Sequence, residues 1–319
     1  MNSKPGSILG IGAPIIDYII PLSEEAFNDL PGGKEGMERV EFAQLQQLLK
    51  LVDEPLTIIP GGSSYNTTRG LAGLGWHASF AGKIGRDNLT GIFRENMGKY
   101  GIIPLFAISA TATTQVACLV SPSGKRTFRT YFGAGYEMEA SDLQARYFTE
   151  QRLVHIEGYS LCIPELPEAA AQMAKQAKAL LSFDLGSYEI VAQERERILQ
   201  LIVDDIDILF SNLQDMETLT GLGAEESCRK FNALGKTVVV TMGAEGCWVG
   251  HNKHVEKFPV IPIEPVDTTG AGDLFAAGFL DGFLQGKPMS VCAAQGALLA
   301  GAVIQIAGAE LPADSRPQF

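Results

Sequence analysis

The chain has 319 residues, 46% of them hydrophobic and 19% charged, as expected for one large globular α/β domain or a domain with a small appendage. Its formal net charge is −12 and it has no block of Lys and Arg, which excludes nucleic acid and anionic membrane surfaces as expected partners. The five cysteines are scattered without a Cys-x-x-Cys pair, and no apolar run reaches the roughly 18–20 residues of a membrane span. We therefore expect a reduced, cytoplasmic protein with no transmembrane segment.

Short apolar runs alternate with amphipathic helical patterns along most of the chain, which predicts an α/β fold. Buried strands separated by helices are typical of a doubly wound, mostly parallel sheet with helices on both faces. The predicted strands cover residues 8–12, 78–84, 153–157, 180–184, 206–211 and 237–241. The helical patterns cover residues 89–100, 165–179, 192–203 and 224–234.

One region that does not fit this alternation reads as a β-hairpin. Residues 114–122 and 125–132 alternate in polarity and are joined by Ser121-Pro122-Ser123-Gly124, a sequence typical of a tight turn. If the hairpin covers a ligand, Arg126 and Arg129 lie close to the site or to a partner subunit's lid.

A second such region lies before residue 61. Short β runs at 15–20 and 56–60 flank a helical pattern that extends from Met37 to Val52. Because these pieces cannot all join the parallel sheet, we predict a small β-rich lid; the alternative is an edge extension of the main sheet. The exposed edges of such a lid also favour a homodimer formed through it. The lid is expected to comprise about residues 15–60 and 113–132 of a single domain that spans residues 1–319.

The segment Asp267-Thr268-Thr269-Gly270-Ala271-Gly272-Asp273 precedes an apolar helical pattern and predicts an anion site. Its small residues leave backbone N–H groups unobstructed, and the positive end of the helix dipole points at the same place. We expect residues 267–269 to supply capping groups. The alternative is a glycine-rich turn that only caps a buried helix, and such a turn gains nothing from a carboxylate at Asp273.

An acid in the first turn of this helix suits an enzyme that moves a phosphoryl group onto a hydroxyl. That reaction needs a proton acceptor beside a pocket that stabilises negative charge. The helix dipole should keep Asp273 ionised, so that its carboxylate can accept the hydroxyl proton late in the transfer. A lid suits the same reaction, because it excludes water, which is the competing acceptor.

Two features near the N-terminus are typical of a small-molecule site. Gly61 and Gly62 form a turn into a helix and permit close approach of the backbone to a ligand. One turn later, Asn66 offers both a donor and an acceptor. Asp17 follows the first strand, where a carboxylate can bind two vicinal hydroxyls. The alternatives are an ordinary helix cap for the glycine turn and a loop acid for Asp17.

Two later strand ends also carry residues suited to phosphate. Asn212 and Asp215 follow one predicted strand and suit the edge of a phosphate or hydrated Mg²⁺ site, unless Asn212 only caps a helix. Thr241, Gly243 and Gly246 follow another strand and leave bare backbone at the carboxyl edge of the sheet. Phosphate contact and a tight turn between strands both account for this second segment.

Several common motifs are missing from the chain. Gly10-x-Gly12 lacks the third spaced glycine of a dinucleotide fingerprint, which disfavours an NAD-dependent oxidoreductase. There is no phosphate-binding Gly-x-x-x-x-Gly-Lys-Ser/Thr loop, and His251 with His254 lacks a third metal ligand.

Together, these motifs resemble the ribokinase/PfkB-like carbohydrate and nucleoside kinase family. The likeness extends from about Gly10 to Gly308, and its most specific part is the segment 267–280. The Gly61-Gly62 pair with Asn66 resembles the family's N-terminal motif. The resemblance implies a Rossmann-like α/β domain with a β lid. It also implies transfer of the γ-phosphoryl group of ATP to a hydroxyl of a nucleoside or sugar, with Mg²⁺.

The resemblance also implies a role for each candidate residue. It makes Asp273 the general base and the 270–272 amides the anion hole. The implied substrate contacts are Asp17, Gly61, Gly62 and Asn66, and the implied ATP contacts are Asn212, Thr241, Gly243 and Gly246. Asp215 stands where the family's Asn-x-x-Glu motif has Glu, so its shorter side chain would engage Mg²⁺ through water. Whether a monovalent cation such as K⁺ also activates the enzyme through Asp267 and Thr269 is left open by the sequence.

Within the family, the chain leans to the adenosine-kinase-like branch. The run from Gly12 to Asp17 and the long helical insertion before Gly61 resemble adenosine kinases more than ribokinases. Ala13, however, stands where adenosine kinases usually carry Asn. We expect a purine nucleoside such as adenosine first, and a furanose sugar such as ribose or fructose second. A non-catalytic ligand-binding homologue is a third possibility, because of Asp215.

Overall fold

The computed structural model describes residues 6–30, 32–33, 36–50, 57–123, 125–312 and 317. Its strands are β1 (Ser7–Ile11), β2 (Ile15–Pro21), β3 (Met37–Arg39), β4 (Thr57–Gly61), β5 (His77–Gly85), β6 (Ile103–Ser109), β7 (Thr114–Val120), β8 (Arg126–Tyr131), β9 (Gln151–Glu157), β10 (Leu180–Asp184), β11 (Ile208–Asn212), β12 (Thr237–Thr241), β13 (Cys247–His251) and β14 (His254–Phe258). Its α-helices are α1 (Glu24–Asp29), α2 (Phe42–Lys50), α3 (Ser63–Gly73), α4 (Leu89–Lys99), α5 (Ala145–Phe148), α6 (Leu166–Gln176), α7 (Tyr188–Gln193), α8 (Arg195–Asp204), α9 (Leu213–Thr220), α10 (Ala224–Asn232), α11 (Ala271–Leu284) and α12 (Met289–Val303).

The main sheet has nine strands in the order β14-β13-β12-β11-β10-β9-β1-β5-β6. All pairings from β12 to β6 are parallel, whereas β13 and β14 extend the sheet as an antiparallel pair. The parallel strands are mostly apolar because both faces are covered: Val238, Val239 and Val240 are all fully buried. All six predicted strands lie in this sheet, so the predicted doubly wound α/β fold is confirmed.

Helices cover both faces of the main sheet and produce two hydrophobic cores. Neighbouring residues on β1 belong to different cores: Ile8 packs with the layer that contains α3, α11 and α12, and Leu9 packs with α6, α8 and α10. Helices α11 and α12 pack closely through glycine, since a Cβ atom at Gly278 would lie 2.4 Å from the Gln295 carbonyl oxygen. The pattern predicted over 192–203 is divided between α7 and α8, which meet at Glu194.

A second, smaller sheet has five strands in the order β3-β8-β7-β2-β4. The hairpin predicted over 114–132 is present as the antiparallel pair β7–β8, and the run at 15–20 is β2. The sheet is separate from the main one and does not extend its edge. The helical pattern predicted from Met37 is wrong at its start, because residues 37–39 pair with β8 as a strand and the helix begins at Phe42. Val52, Leu56 and Gly124 lie outside the described residues.

Two further expectations concern the whole chain. Among the helices in the described ranges, none combines the length and apolar character that a bilayer crossing needs. All five cysteines are free thiols, and Cys162 is the exposed one.

Candidate active site

A cleft of about 1300 Å³ lies between the two sheets at the carboxyl ends of the parallel strands. The small sheet contributes Asp17 and Phe128, the main sheet contributes Asp184 and Asn212, and the N-terminus of α11 closes one wall. The carboxyl edge is where ligands bind in open α/β sheets. The predicted site residues that line it are Asp17, Gly62, Asn66, Asn212, Asp215, Thr241, Gly270, Ala271, Gly272 and Asp273.

The first turn of α11 presents its backbone to the cleft. Gly270 is the N-cap, with a left-handed φ of 76°, and no side chain caps this helix end. The capping groups expected from residues 267–269 are therefore absent, because Asp267 bonds the Thr269 amide and the Thr268 carbonyl bonds the Ala271 amide instead. Because no side chain caps this terminus, the amides of Gly270 and Gly272 are available to an anion, whereas the Ala271 amide would have to exchange its bond to the Thr268 carbonyl.

Asp273 is held by two residues of α3, a helix that packs against α11. Ser63 Oγ donates a hydrogen bond to Oδ1 at 2.7 Å, and Asn66 Nδ2 donates one to Oδ2 at 2.9 Å. Burial raises the pKa of Asp273 to about 6, although the Asn66 and Ser63 hydrogen bonds and the charge of Arg69 oppose the shift. The carboxylate is therefore ionised at neutral pH, but its pKa is above its ordinary value, a property suited to a proton acceptor.

Asp17 reaches the cleft from the small sheet. The sequence placed it at the end of β1, but it is the third residue of β2, because the chain turns at residues 12–14 and leaves the main sheet. Gly61 makes room for its carboxylate, since a Cβ atom there would lie 2.4 Å from Asp17 Oδ2. Burial raises the pKa of Asp17 to about 7; Arg69 opposes this shift, and the nearby carboxylates of Asp267 and Asp273 add to it.

Two acids at this edge, the buried Glu157 and the half-buried Asp184, were missed by sequence reasoning. Glu157, which is 1% exposed, accepts hydrogen bonds from the amides of Ala13 at 2.9 Å and Ser64 at 2.8 Å. Asp184 Oδ1 accepts one from the Gly186 amide at 2.9 Å. Burial is the main reason that the pKa values of both carboxyl groups rise to about 7. Each is the last residue of a predicted parallel strand, and that position was the signal that could have identified them.

The phosphate-side candidates differ in their position. Asn212 caps α9, as the alternative interpretation held, since its Oδ1 accepts from the Asp215 amide at 2.8 Å. Its Nδ2 also donates to Asp215 Oδ2 at 2.8 Å, and both side chains still face the cleft. Gly243 and Gly246 lie in the turn between β12 and β13 and, with Gly61, are not among the described residues that line the cleft.

The residues around Asp215 have the chemistry of a magnesium site. Burial is the main cause that raises the pKa of Asp215 to about 6, and the negative charge of Glu189 adds to it. Asp184 lies near enough to Asp273 and Asp215 for their negative charges to raise its pKa further. Within the described ranges, no three acidic, His or Cys side chains are close enough to hold one metal ion together. Oxygen donors that are few and separated fit a Mg²⁺ ion that keeps several waters and binds phosphate oxygens.

The residues considered for a monovalent cation are already paired. Arg126, on β8, forms an ion pair with Asp267 Oδ1 and donates to Thr269 Oγ1 at 3.0 Å. Asp267 Oδ2 accepts from the Gly308 amide at 2.7 Å. Although burial alone would raise it, these hydrogen bonds hold the pKa of Asp267 below its ordinary value. The site therefore does not fit K⁺. Arg129, by contrast, bonds within the small sheet, to Thr127 Oγ1 at 2.8 Å.

A carboxylate of raised pKa beside a helix N-terminus without a side-chain cap, in a cleft between two sheets, suits a kinase that acts on hydroxyl groups. The chain belongs to the pfkB family of carbohydrate kinases: the family description "pfkB family carbohydrate kinase" matches residues 49–316. Its enzymes, this chain included, are phosphotransferases with a hydroxyl group as acceptor.

Solved structures and curated relatives include both nucleoside and sugar kinases. The adenosine kinase from Sinorhizobium meliloti superimposes with a TM-score of 0.87 at 27% identity, covering 99% of this chain and 97% of that one. A probable sugar kinase from Rhizobium etli CFN 42 superimposes with a TM-score of 0.86 at 30% identity, covering 98% and 96%. Fructokinase-1 of Oryza sativa subsp. japonica is 28% identical over 262 residues, which are 77% of this chain and 80% of that protein. The ribokinase-like fold and the likeness to adenosine kinases are thus confirmed, and the substrate is left open.

Proposed function

We propose that this protein transfers the γ-phosphoryl group of ATP to a hydroxyl of a nucleoside, with Asp273 as the general base. The observation that carries the proposal is the position of Asp273: in the first turn of α11, beside amides without a side-chain cap, and held by Ser63 and Asn66. A carboxylate at this position repels a bound anion, so its presence needs a functional reason. Removal of the proton from the attacking hydroxyl is such a reason.

The residues of the chain have distinct roles in this reaction. The amides of residues 270–272 stabilise the negative charge that develops on the transferred group. Asp273 accepts the proton of the acceptor hydroxyl, and Asp17 orients the substrate from the small sheet. When bound, Mg²⁺ neutralises phosphate charge, and Asp215 would hold it through water. Asn212 and Thr241 lie at the strand ends beside the phosphates.

An aromatic wall favours a nucleoside over a free sugar. Rings from the small sheet and from the segments after β8 and β9 line the cleft. Phe132 and Tyr136 stack with ring centroids 3.9 Å apart and an interplanar angle of 14°. A purine base has a flat π-face that such rings can contact, whereas a furanose has none. The aromatic residues that line the cleft there are Phe128, Tyr131, Phe132, Tyr136 and Tyr159.

A sugar kinase is the second candidate, and one position favours it. Ala13, where adenosine kinases usually carry Asn, offers no side-chain polar atom, and its amide is already bonded to Glu157. The ribose moiety of a nucleoside would therefore have one contact fewer here than in adenosine kinases that carry Asn at this position. The sequence likeness to Fructokinase-1 supports the same alternative.

The test is ADP release with adenosine, guanosine, ribose and fructose as acceptors, for the wild type and Asp273→Ala. We expect turnover with a purine nucleoside, and a loss of about 10²–10⁴-fold in kcat for Asp273→Ala. Turnover with fructose but not adenosine would replace the nucleoside with the sugar. Calorimetric binding of adenosine without turnover at any Mg²⁺ concentration would indicate a non-catalytic homologue. Equal turnover by the variant would remove Asp273 from the mechanism.

A further inference from the structure

We propose that Arg69, a buried arginine on α3, is a positioning residue for Asp273 and acts through Asn66. This inference rests on the proposed function, because it takes Asp273 as the proton acceptor. Arg69 is 3% exposed. Its Nη2 donates to Asn66 Oδ1 at 2.9 Å, and Asn66 Nδ2 donates to Asp273 Oδ2 at 2.9 Å. Asn66 therefore lies between the guanidinium and the carboxylate.

The chemistry of the three groups allows only one orientation of the Asn66 amide. A guanidinium can only donate hydrogen bonds, and an ionised carboxylate can only accept them. Asn66 must therefore turn its oxygen to Arg69 and its NH₂ group to Asp273; the flipped amide would lose both bonds. Asn66 is itself 5% exposed, so a flipped amide would have little water to replace those bonds. Arg69 thus decides which atom of Asn66 faces the base.

Arg69 is fixed in place from several sides. Its Nη1 donates to the Pro60 carbonyl at 2.9 Å and lies 3.6 Å from Glu310 Oε2. Its Nη2 also donates to the Ala309 carbonyl at 2.9 Å. The guanidinium carbon is 5.2 Å from the centroid of the Tyr65 ring. A planar fork can make these bonds in several directions at once, whereas the single ammonium group of lysine cannot reach all of them.

Through Arg69, the segment 308–310 supports the base as well as the anion site. The Ala309 carbonyl accepts from Arg69, while the neighbouring Gly308 amide donates to Asp267, which precedes the helix α11. The two halves of the site, the 270–272 amides and the Asp273 carboxylate, are therefore braced by one short stretch of chain. A change at Arg69 should disturb the carboxylate and leave the phosphate contacts intact.

Replacing Arg69 by lysine tests the proposal. Arg69→Lys keeps a positive charge beside Glu310 but cannot hold the Asn66 oxygen and the Ala309 carbonyl together. We expect kcat to fall by up to about 100-fold, as misplacement of a reacting group does, while the KM for ATP stays unchanged. Arg69→Gln is the second variant, because it leaves no buried positive charge and serves if the lysine variant unfolds. Thermal unfolding of each variant establishes that it is folded.

A double-mutant cycle separates positioning from a general effect on stability. If Arg69 acts through Asn66, Arg69→Lys should cost little further kcat in an Asn66→Ala background. Trp76→Phe is the control, since it removes a buried 2.9 Å hydrogen bond to Asp281 that belongs to no part of the site; it should lower the unfolding temperature and keep kcat.

Two results overturn the inference: full kcat in a folded Arg69→Lys or Arg69→Gln protein, or additive losses in the cycle. Both differ from failure of the proposed function, which is marked by equal turnover of Asp273→Ala and wild type.

Discussion

The hydroxyl of Ser63 donates a 2.7 Å hydrogen bond to Oδ1 of Asp273, across 210 positions of sequence. Ser63 is the first residue of α3, directly after one glycine turn, and Asp273 lies in the first turn of α11, directly after the other. The two most informative sequence motifs of the chain are thus one site, and the first orients the second. This contact also makes the protonation of Asp273 depend on a neutral neighbour that can be changed without changing the net charge.

Ser63→Ala should move the acid limb of the kcat–pH profile to higher pH. Burial raises the pKa of Asp273 to about 6, and the hydrogen bonds from Asn66 and Ser63 act against that rise. Removing the Ser63 bond raises the pKa further, so less of the base is ionised near neutrality and kcat falls there. Above about pH 8, where the base is ionised in both proteins, the difference should shrink. The measurement is kcat over the range from about pH 5 to about pH 9.

The control for this experiment is Ser64→Ala, because the Ser64 hydroxyl bonds the His155 carbonyl at 3.2 Å and not Asp273. Its acid limb should coincide with that of the wild type. An unshifted limb in Ser63→Ala, with kcat lowered equally at all pH values, would mean that Ser63 does not tune the base.

Asp17→Asn should stabilise the protein at alkaline pH while reducing activity. Burial raises the pKa of Asp17 from 3.8 to about 7, so the folded protein holds this proton more tightly than the unfolded chain does. The free energy of unfolding therefore falls as pH rises from about 4 to about 7. Asparagine does not titrate, so the free energy of unfolding of the variant should rise relative to that of the wild type between these pH values. The relative gain is at most about 1.4 kcal/mol for each unit by which the pKa of Asp17 differs between the folded and unfolded states.

Urea unfolding of both proteins at several pH values checks this prediction. Glu157 and Asp184, whose pKa values are also raised to about 7, act in both proteins, so only the difference between the two curves reports on Asp17. If the free energies of unfolding of the two proteins change in parallel between about pH 4 and about pH 8, the pKa of Asp17 is not raised.

The sequence predicted those parts of the fold in which local pattern and environment agree. The runs 180–184 and 237–241 match β10 and β12 because strands buried on both faces are mostly apolar. The antiparallel pair β13–β14 and the edge strand β6 were not predicted. β14 is partly exposed and mixes polar with apolar residues, and β6 contains Pro104, so neither has the pattern of a buried strand.

The candidate site was predictable where a residue type carries its own chemistry, as Asp273 does beside the glycines. The partners of that residue were not. Arg69 has no local signal, because its role arises from contacts with residues that are far away in sequence. Arg126 was predicted to lie near the site, but its pairing with Asp267 depends on how the two sheets meet.

Wild-type activity should be nearly the same in potassium, sodium and a bulky organic cation. Arg126 already places a positive charge on Asp267 and bonds Thr269, so a monovalent cation has no vacant carboxylate there. Arg126→Ala exposes Asp267 and should lose about 1–3 kcal/mol of stability, the range for a hydrogen bond to a charged group. The variant should then be activated by potassium. Strong potassium activation of the wild type would show that a cation binds in spite of Arg126.

Binding of substrates should protect the small sheet from hydrogen exchange. If this sheet acts as a lid, adenosine with a non-hydrolysable ATP analogue should slow exchange in β7 and β8, since Val116, Phe128 and Thr130 line the cleft. Strand β6, at the far edge of the main sheet, is the internal control and should not change. Equal exchange in β8 with and without ligands would leave the small sheet without a lid function.

Two glycines of the anion loop should respond differently to alanine. Gly270 has a φ of 76°, and a Cβ atom there would lie 2.4 Å from the Cβ of Ala309. Gly270→Ala should therefore cost on the order of 2 kcal/mol or more, from backbone strain and displacement of the segment 308–310. A Cβ atom at Gly272 meets nothing within 4 Å, and the residue lies in the first turn of α11. Gly272→Ala should leave the unfolding free energy unchanged or raise it by up to about 1 kcal/mol.

Both variants are unfolded in urea, and the KM for ATP is measured on each. The free energy of unfolding reports how well the loop is packed, and the KM reports whether ATP can still reach it. Because Gly272→Ala retains the fold, any rise in its KM for ATP reports a methyl group that obstructs the phosphate at the helix N-terminus. Unchanged stability in Gly270→Ala would show that the segment 308–310 yields easily, and bracing of the anion site by the C-terminal segment would then be wrong.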